Sequence, residues 1–124
     1  MHANSSLCRF LLALSFPLCA FAHDLSKQEC AEGADYIRNA ALSRDAGMTE
    51  SDFITVFDQD LARLQLLPPS LRWFVQDEDD ALMLRNALTE VFQQPQPPAR
   101  HWKKFAVDCL VKANQWPVEL KNQI

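Results

Sequence analysis

Residues 26–46 read SKQECAEGADYIRNAALSRDA, and within them Cys30, Ala34, Ile37 and Ala41 recur at intervals of four, three and four. That spacing puts all four on one face of a helix. Glu29, Glu32 and Asp35 stand early in the stretch, and Arg38 and Arg44 stand late. This is the charge order that a helix dipole favours. Gly47 follows as a C-terminal stop. The spacing therefore predicts a helix over about 26–46. Ala31, Ala34, Ala40 and Ala41 are small enough to admit a close neighbour. A glycine inside a helix costs about 1 kcal/mol against alanine, so Gly33 is expected where another element approaches closely.

Three further segments carry the same period. Thr49-Glu50-Ser51-Asp52 has the form of a capping box. It opens a helix over 50–66 whose apolar face is Phe53, Val56, Phe57, Leu61, Leu64 and Leu67. Pro68-Pro69 ends that helix. Ser70 is expected to cap a short helical turn near 70–76 that carries Trp73 and Phe74. Asp77 caps a third helix over 78–93, with Ala81, Leu84, Leu88, Val91 and Phe92 facing inward. Pro95-Gln96-Pro97-Pro98 is a stiff connection. A fourth helix spans 99–114 with Trp102, Phe105, Ala106, Cys109, Leu110 and Ala113 as its stripe, and Trp116-Pro117 ends it. The tail from about 117 is expected to be loose. The chain holds only two glycines, Gly33 and Gly47, and no alternating strand pattern. The expected fold is all-α: a compact bundle of four helices plus one short turn.

Residues 1–22 have the organisation of a signal peptide: Arg9, an apolar stretch from Phe10 to Leu18, then Cys19-Ala20-Phe21-Ala22 as a small-x-small cleavage site. Phe16-Pro17-Leu18 before Cys19 is a poor match to a lipid-anchor signal. Cleavage after Ala22 leaves 102 of the 124 residues, enough for one domain. Two of the four cysteines remain, Cys30 and Cys109. Each lies mid-face on a helix, the first and the last, so a disulfide between them is expected. The competing readings are two buried free thiols, or a redox pair, for which there is no Cys-x-x-Cys. The expected location is periplasmic or secreted.

The chain carries 12 bases and 16 acids. Removal of residues 1–22 takes one base and no acid, leaving a net charge of −5. Such a chain lacks the basic field that binding a polyanion needs, so no nucleic-acid partner is expected. Beyond the signal core no apolar run is long enough to span a bilayer, and the mature form is expected to be soluble.

Candidate sites are sparse. Asp60 and Arg85 fall on the apolar arcs of the second and third helices, and a buried acid must be paired or neutralised. An Asp60–Arg85 ion pair is therefore expected, with Arg38 or Arg44 as the next partners. Arg72, Trp73 and Phe74 lie between Pro69 and Asp77, covering the core end or anchoring an interface. Arg100, His101, Lys103 and Lys104 form a basic cluster, a solvated surface or a docking face for an acidic partner. The run Asp77-Glu78-Asp79-Asp80 lacks the glycine and late glutamate of a calcium loop and reads better as a capped helix start. No glycine-flanked serine elbow is present.

Cleavage after Ala22 would make His23 the N-terminal residue. Its amine and ring nitrogen could chelate copper, with His101 as the second histidine. Copper-dependent polysaccharide monooxygenases use such a brace on β-sandwiches, whereas this chain is helical in pattern. In architecture, size and cysteine count the chain is similar to periplasmic acid-stress chaperones and to immunity proteins against secreted toxins, without sharing a specific motif. The leading expectation is an exported, non-catalytic helical protein that works through protein contacts, with no cofactor. An acid-stress chaperone is the first alternative, and a copper binder using His23 the second.

Overall fold

The computed structural model describes residues 25–113. The expected signal peptide, His23, and the end of the chain from residue 114, with Trp116, lie outside the described residues. Among the described residues the protein is all-helical: α1 (Lys27–Asp45), α2 (Glu50–Gln65), a 3-10 turn (Pro69–Leu71), α3 (Glu78–Gln93) and α4 (Pro98–Lys112).

Each helix starts where its local chemistry dictates. Ser26 caps α1 by accepting the Glu29 N–H at 3.1 Å, and Glu29 returns the favour by accepting the Ser26 N–H at 3.2 Å. This reciprocal capping box satisfies two donors that a helix start would otherwise strand. Gly47 (φ 102°) follows α1 in the left-handed conformation that glycine adopts without penalty. Thr49 accepts the Asp52 N–H at 3.2 Å. In the acidic run, Asp77 accepts the Asp80 N–H at 2.9 Å and Asp80 accepts the Gln76 N–H at 3.0 Å. Those carboxylates are spent on the helix start, in agreement with the capped reading. α4 begins at Pro98, one residue earlier than expected, because a locked φ suits the first helical position.

The short turn differs from expectation. It occupies Pro69–Leu71, with Pro68 rather than Ser70 at its cap position. Pro69 holds Pro68 extended (ψ 148°) and itself starts the turn. Arg72 is already extended, so Trp73 and Phe74 lie on irregular chain beyond the turn.

α1 is the central element. It packs most extensively on α4, then on α3, while α2 packs on α3. Cys30, Gly33, Ala34, Ile37, Ala40 and Ala41 of α1 are all buried. They meet Phe105, Ala106 and Cys109 of α4 and Leu84, Leu88 and Val91 of α3 in one core. The Cys30 and Cys109 sulfurs stand 2.03 Å apart, with Cα atoms at 5.5 Å, and the disulfide joins the first helix to the last. Gly33 lies against the Phe74 and Phe105 rings, whose centroids are 5.4 Å apart. The close approach expected at this glycine is there.

α2 sits at the edge, and its inward face is narrower than its sequence suggests. Phe53 and Phe57 are buried, Leu61 and Leu64 are half-buried, and Val56 and Leu67 are exposed. Aromatic contacts tie α2 to the rest. Tyr36 meets Phe53 at 5.8 Å and Phe57 at 6.0 Å, and Phe53 meets Phe92 at 5.9 Å.

Candidate functional site

The segment after α2 makes the most distinctive surface. The last turn of α2 has carbonyls without i+4 helical partners, and the Leu66 and Leu67 N–H groups take those of Arg63 and Leu64. Arg72 folds back over that end: its Nε donates to the Leu67 carbonyl at 2.9 Å and its Nη2 to the Gln65 carbonyl at 3.1 Å. Arg72 is thus a clasp for α2 as well as a surface residue. With the corner fixed by Arg72 and Pro68-Pro69, Leu66 is left 85% exposed and Leu71 65% exposed, with Leu67 beside them. Trp73 is half-buried, its ring 5.4 Å from Tyr36 and 6.3 Å from Phe74.

Depressions flank this corner. One, of about 320 Å³, is lined by Tyr36, Asp60, Arg63, Leu64, Leu67 and Trp73. Another is wide and shallow, lined by Glu29, Glu32, Leu71, Arg72 and Trp73 among others. The Tyr36 hydroxyl is buried and makes no hydrogen bond of good geometry among the described residues. Burial pushes this phenol's pKa well above its ordinary value, and the neighbouring Asp60 carboxylate adds to the rise. Tyr36 is therefore a neutral polar tip at the floor of an otherwise mostly apolar groove.

The expected Asp60–Arg85 pair does not form. Arg85 pairs with Asp58 and lies over the Phe57 ring, 5.1 Å from its centroid. Asp60 faces Arg63 at 3.7 Å, with its side chain 38% exposed. The reason is angular. Asp58 and Asp60 differ by two residues, or about 200° around the helix, so they face α3 and the Tyr36 side respectively. Phe74 is fully buried and belongs to the core, which removes it from the expected interface set; Arg72 and Trp73 remain at the surface.

The basic cluster is divided by its contacts. Lys104 Nζ reaches both Glu90 oxygens, at 2.6 and 2.7 Å. Arg100 donates to Gln96 Oε1 at 3.2 Å. Lys103 is exposed. His101, by contrast, is only 5% exposed and faces inward. Its Nε2 accepts the Gln96 N–H at 3.0 Å, and Arg44 Nη1 stands 3.3 Å from the same nitrogen. Arg44 Nη1 also donates to the Val91 carbonyl at 2.7 Å, and Nη2 to the Gln96 carbonyl at 2.8 Å. One guanidinium thereby ties the end of α1 to the end of α3 and to the connection before α4. Burial lowers the His101 pKa below its ordinary value, and Arg44 lowers it further. An imidazole engaged in this way does not offer Nε2 to a metal.

Composition hid this cluster, but spacing carried a signal for it. His101, Phe105 and Cys109 recur every four residues, and Arg44 continues the Ile37 and Ala41 face. Both polar side chains lie on core stripes, at the helix ends where partner carbonyls are available.

Among the described residues, no group of three or more His, Cys, Asp or Glu side chains is placed to hold a metal ion, and no helix is long and apolar enough to cross a membrane. Comparison with protein-family models, curated proteins and solved structures found no match for this chain.

Proposed function

We propose that the protein is an exported, non-catalytic binding protein that engages a protein partner through the corner from Leu66 to Trp73. The observation that carries this reading is the exposure of Leu66 and Leu71 on a segment held rigid by two prolines and the Arg72 clasp. Covering an exposed leucine contributes about 1.5–3 kcal/mol. A rigid presentation adds little ordering cost on binding. Trp73 and Arg72 are of the residue types that dominate interface energetics, and the flanking grooves leave room for a partner's side chains.

The test is capture from an extract of the producing cell's envelope, with wild type and the Leu66→Asp/Leu71→Asp variant immobilised side by side. Both leucines are exposed, so the variant is expected to lose no more than about 1 kcal/mol of stability, mainly from the carboxylate placed at the C-cap of α2. It is also expected to lose the partner that wild type retains. Equal capture by the two proteins would move the binding surface elsewhere on the molecule.

Export is part of the same proposal. It is supported by the signal-like organisation of residues 1–22 and by a disulfide, which persists in oxidising compartments. Mass spectrometry of the protein recovered from outside the cytoplasm is expected to give a chain starting at His23. A retained Met1 would overturn that assignment.

A further inference from the structure

We propose that the Arg44–His101 cluster is an acid-released latch on the end of the α1–α4 pair opposite the disulfide. α1 and α4 run antiparallel, since Cys30 near the start of α1 bonds Cys109 near the end of α4. Arg44 near the end of α1 meets His101 near the start of α4. The same helix pair is closed covalently at one end and by a titratable contact at the other.

The contact works only with neutral His101. Nε2 must present its lone pair to take the Gln96 N–H, so the ring proton belongs on Nδ1. Protonation of Nε2 removes that acceptor. It also places an imidazolium against the Arg44 guanidinium, whose Nη1 is 3.3 Å away, in a site 5% exposed where solvent screens little. The charged groups around the ring are Arg44 and Asp45 from α1, Glu90 from α3, and Lys104 from α4. Arg100 of α4 is held on the connection through Gln96. The connection itself, Gln94-Pro95-Gln96-Pro97, carries no charge. Asp45 and Glu90 favour an imidazolium, but each faces its own cation, Arg44 at 2.8 Å and Lys104 at 2.6 Å, and burial together with Arg44 outweighs them.

Releasing the latch frees Gln96 from Arg44 and His101 while the disulfide holds the far end of the helix pair. The sign follows from the lowered pKa in the closed state. The closed form is fully favoured above the ordinary histidine value of about 6.5. That preference is lost as pH falls from there through the lowered closed-state value.

The experiment is a pH series of NMR spectra and amide exchange on the disulfide-bonded protein, wild type and His101→Gln. Glutamine keeps a neutral acceptor that does not titrate. In wild type, the Gln96 amide is expected to lose protection, by up to tenfold per pH unit, from about 6.5 down to the lower midpoint that the His101 ring signals report, and to level off below it. Core amides around Cys30 and Cys109 stay protected over the same range. In His101→Gln the Gln96 amide is expected to show no such step. Wild-type Gln96 protection that stays the same from about pH 6.5 down to the His101 midpoint overturns the latch, and so does a step that persists in the variant. If the variant does not fold, the wild-type series decides alone, because a His101 midpoint at or above 6.5 also overturns it.

Discussion

The Cys30→Ala/Cys109→Ala variant is expected to melt roughly 20–30 °C below wild type. The disulfide closes a loop of 79 residues, for which the chain-entropy account gives about 4–5 kcal/mol, acting mainly on the unfolded state. A domain of this size has a typical stability of about 5–15 kcal/mol, so the bond supplies a large share. The crosslink joins the two helices that make the main packing interface, and both cysteines are buried. Alanine at both positions keeps the site apolar, and the space left by the two sulfur atoms in the core adds to the loss. A second consequence concerns acid. The contribution of neutral, buried His101 that fades on acidification is unchanged in the variant, but it is subtracted from a smaller total. Acid unfolding, followed by circular dichroism, is therefore expected at a higher pH in the variant. Coincident melts for variant and wild type would show that the bond constrains nothing.

The apolar period is what made the helices readable. In α1, Cys30, Ala34, Ile37 and Ala41 all proved to be core, and so did Phe105, Ala106 and Cys109 in α4. A central helix must bury a continuous stripe, and that requirement is written directly in its spacing. α2 was read less well because an edge helix need bury only part of its apolar arc. Val56 and Leu67 carry the helical period and are nonetheless exposed. The same edge position explains the missed ion pair: sequence gives the angle of Asp60 on its own helix, but not which neighbour occupies that angle. Asp58, just outside the apolar arc, is where Arg85 arrives.

Residue class also misled. His101 sits among Arg100, Lys103 and Lys104 in the sequence, which suggests a solvated basic patch. In the fold it points the other way, toward Arg44 and Gln96. Four-residue spacing to Phe105 outweighs the character of its sequence neighbours. The Leu66–Leu71 corner was hidden for the opposite reason. Leucines beside a Pro-Pro pair look like a helix end folding into the core, and only the Arg72 clasp shows how the corner is held outward.

Gly33 and Phe105 provide a test in which the sign matters more than the size. Helix propensity alone says that Gly33→Ala stabilises by about 1 kcal/mol. Packing says the reverse. A Cβ at Gly33 would stand 2.6 Å from Phe105 Cε1 and 2.9 Å from Phe74 Cδ2. Phe74 is fully buried and Phe105 nearly so, and each ring blocks the other's retreat. Overpacking of this kind costs about 1–3 kcal/mol and sometimes more. Gly33→Ala is therefore expected to destabilise on balance. Phe105→Ala, which empties a core position, is expected to cost about 3–5 kcal/mol. The two changes should not add. With the Phe105 ring gone, the methyl group at residue 33 occupies vacated space, and Phe74 can shift away from it. Adding Gly33→Ala to Phe105→Ala is then expected to raise stability rather than lower it, with a coupling within the range of about 0.5–3 kcal/mol found for residues in contact. Urea denaturation of the four proteins in the cycle measures this. A Gly33→Ala single variant more stable than wild type would mean that the rings yield easily. The approach of α4 to α1 would then be set by the disulfide rather than by the glycine.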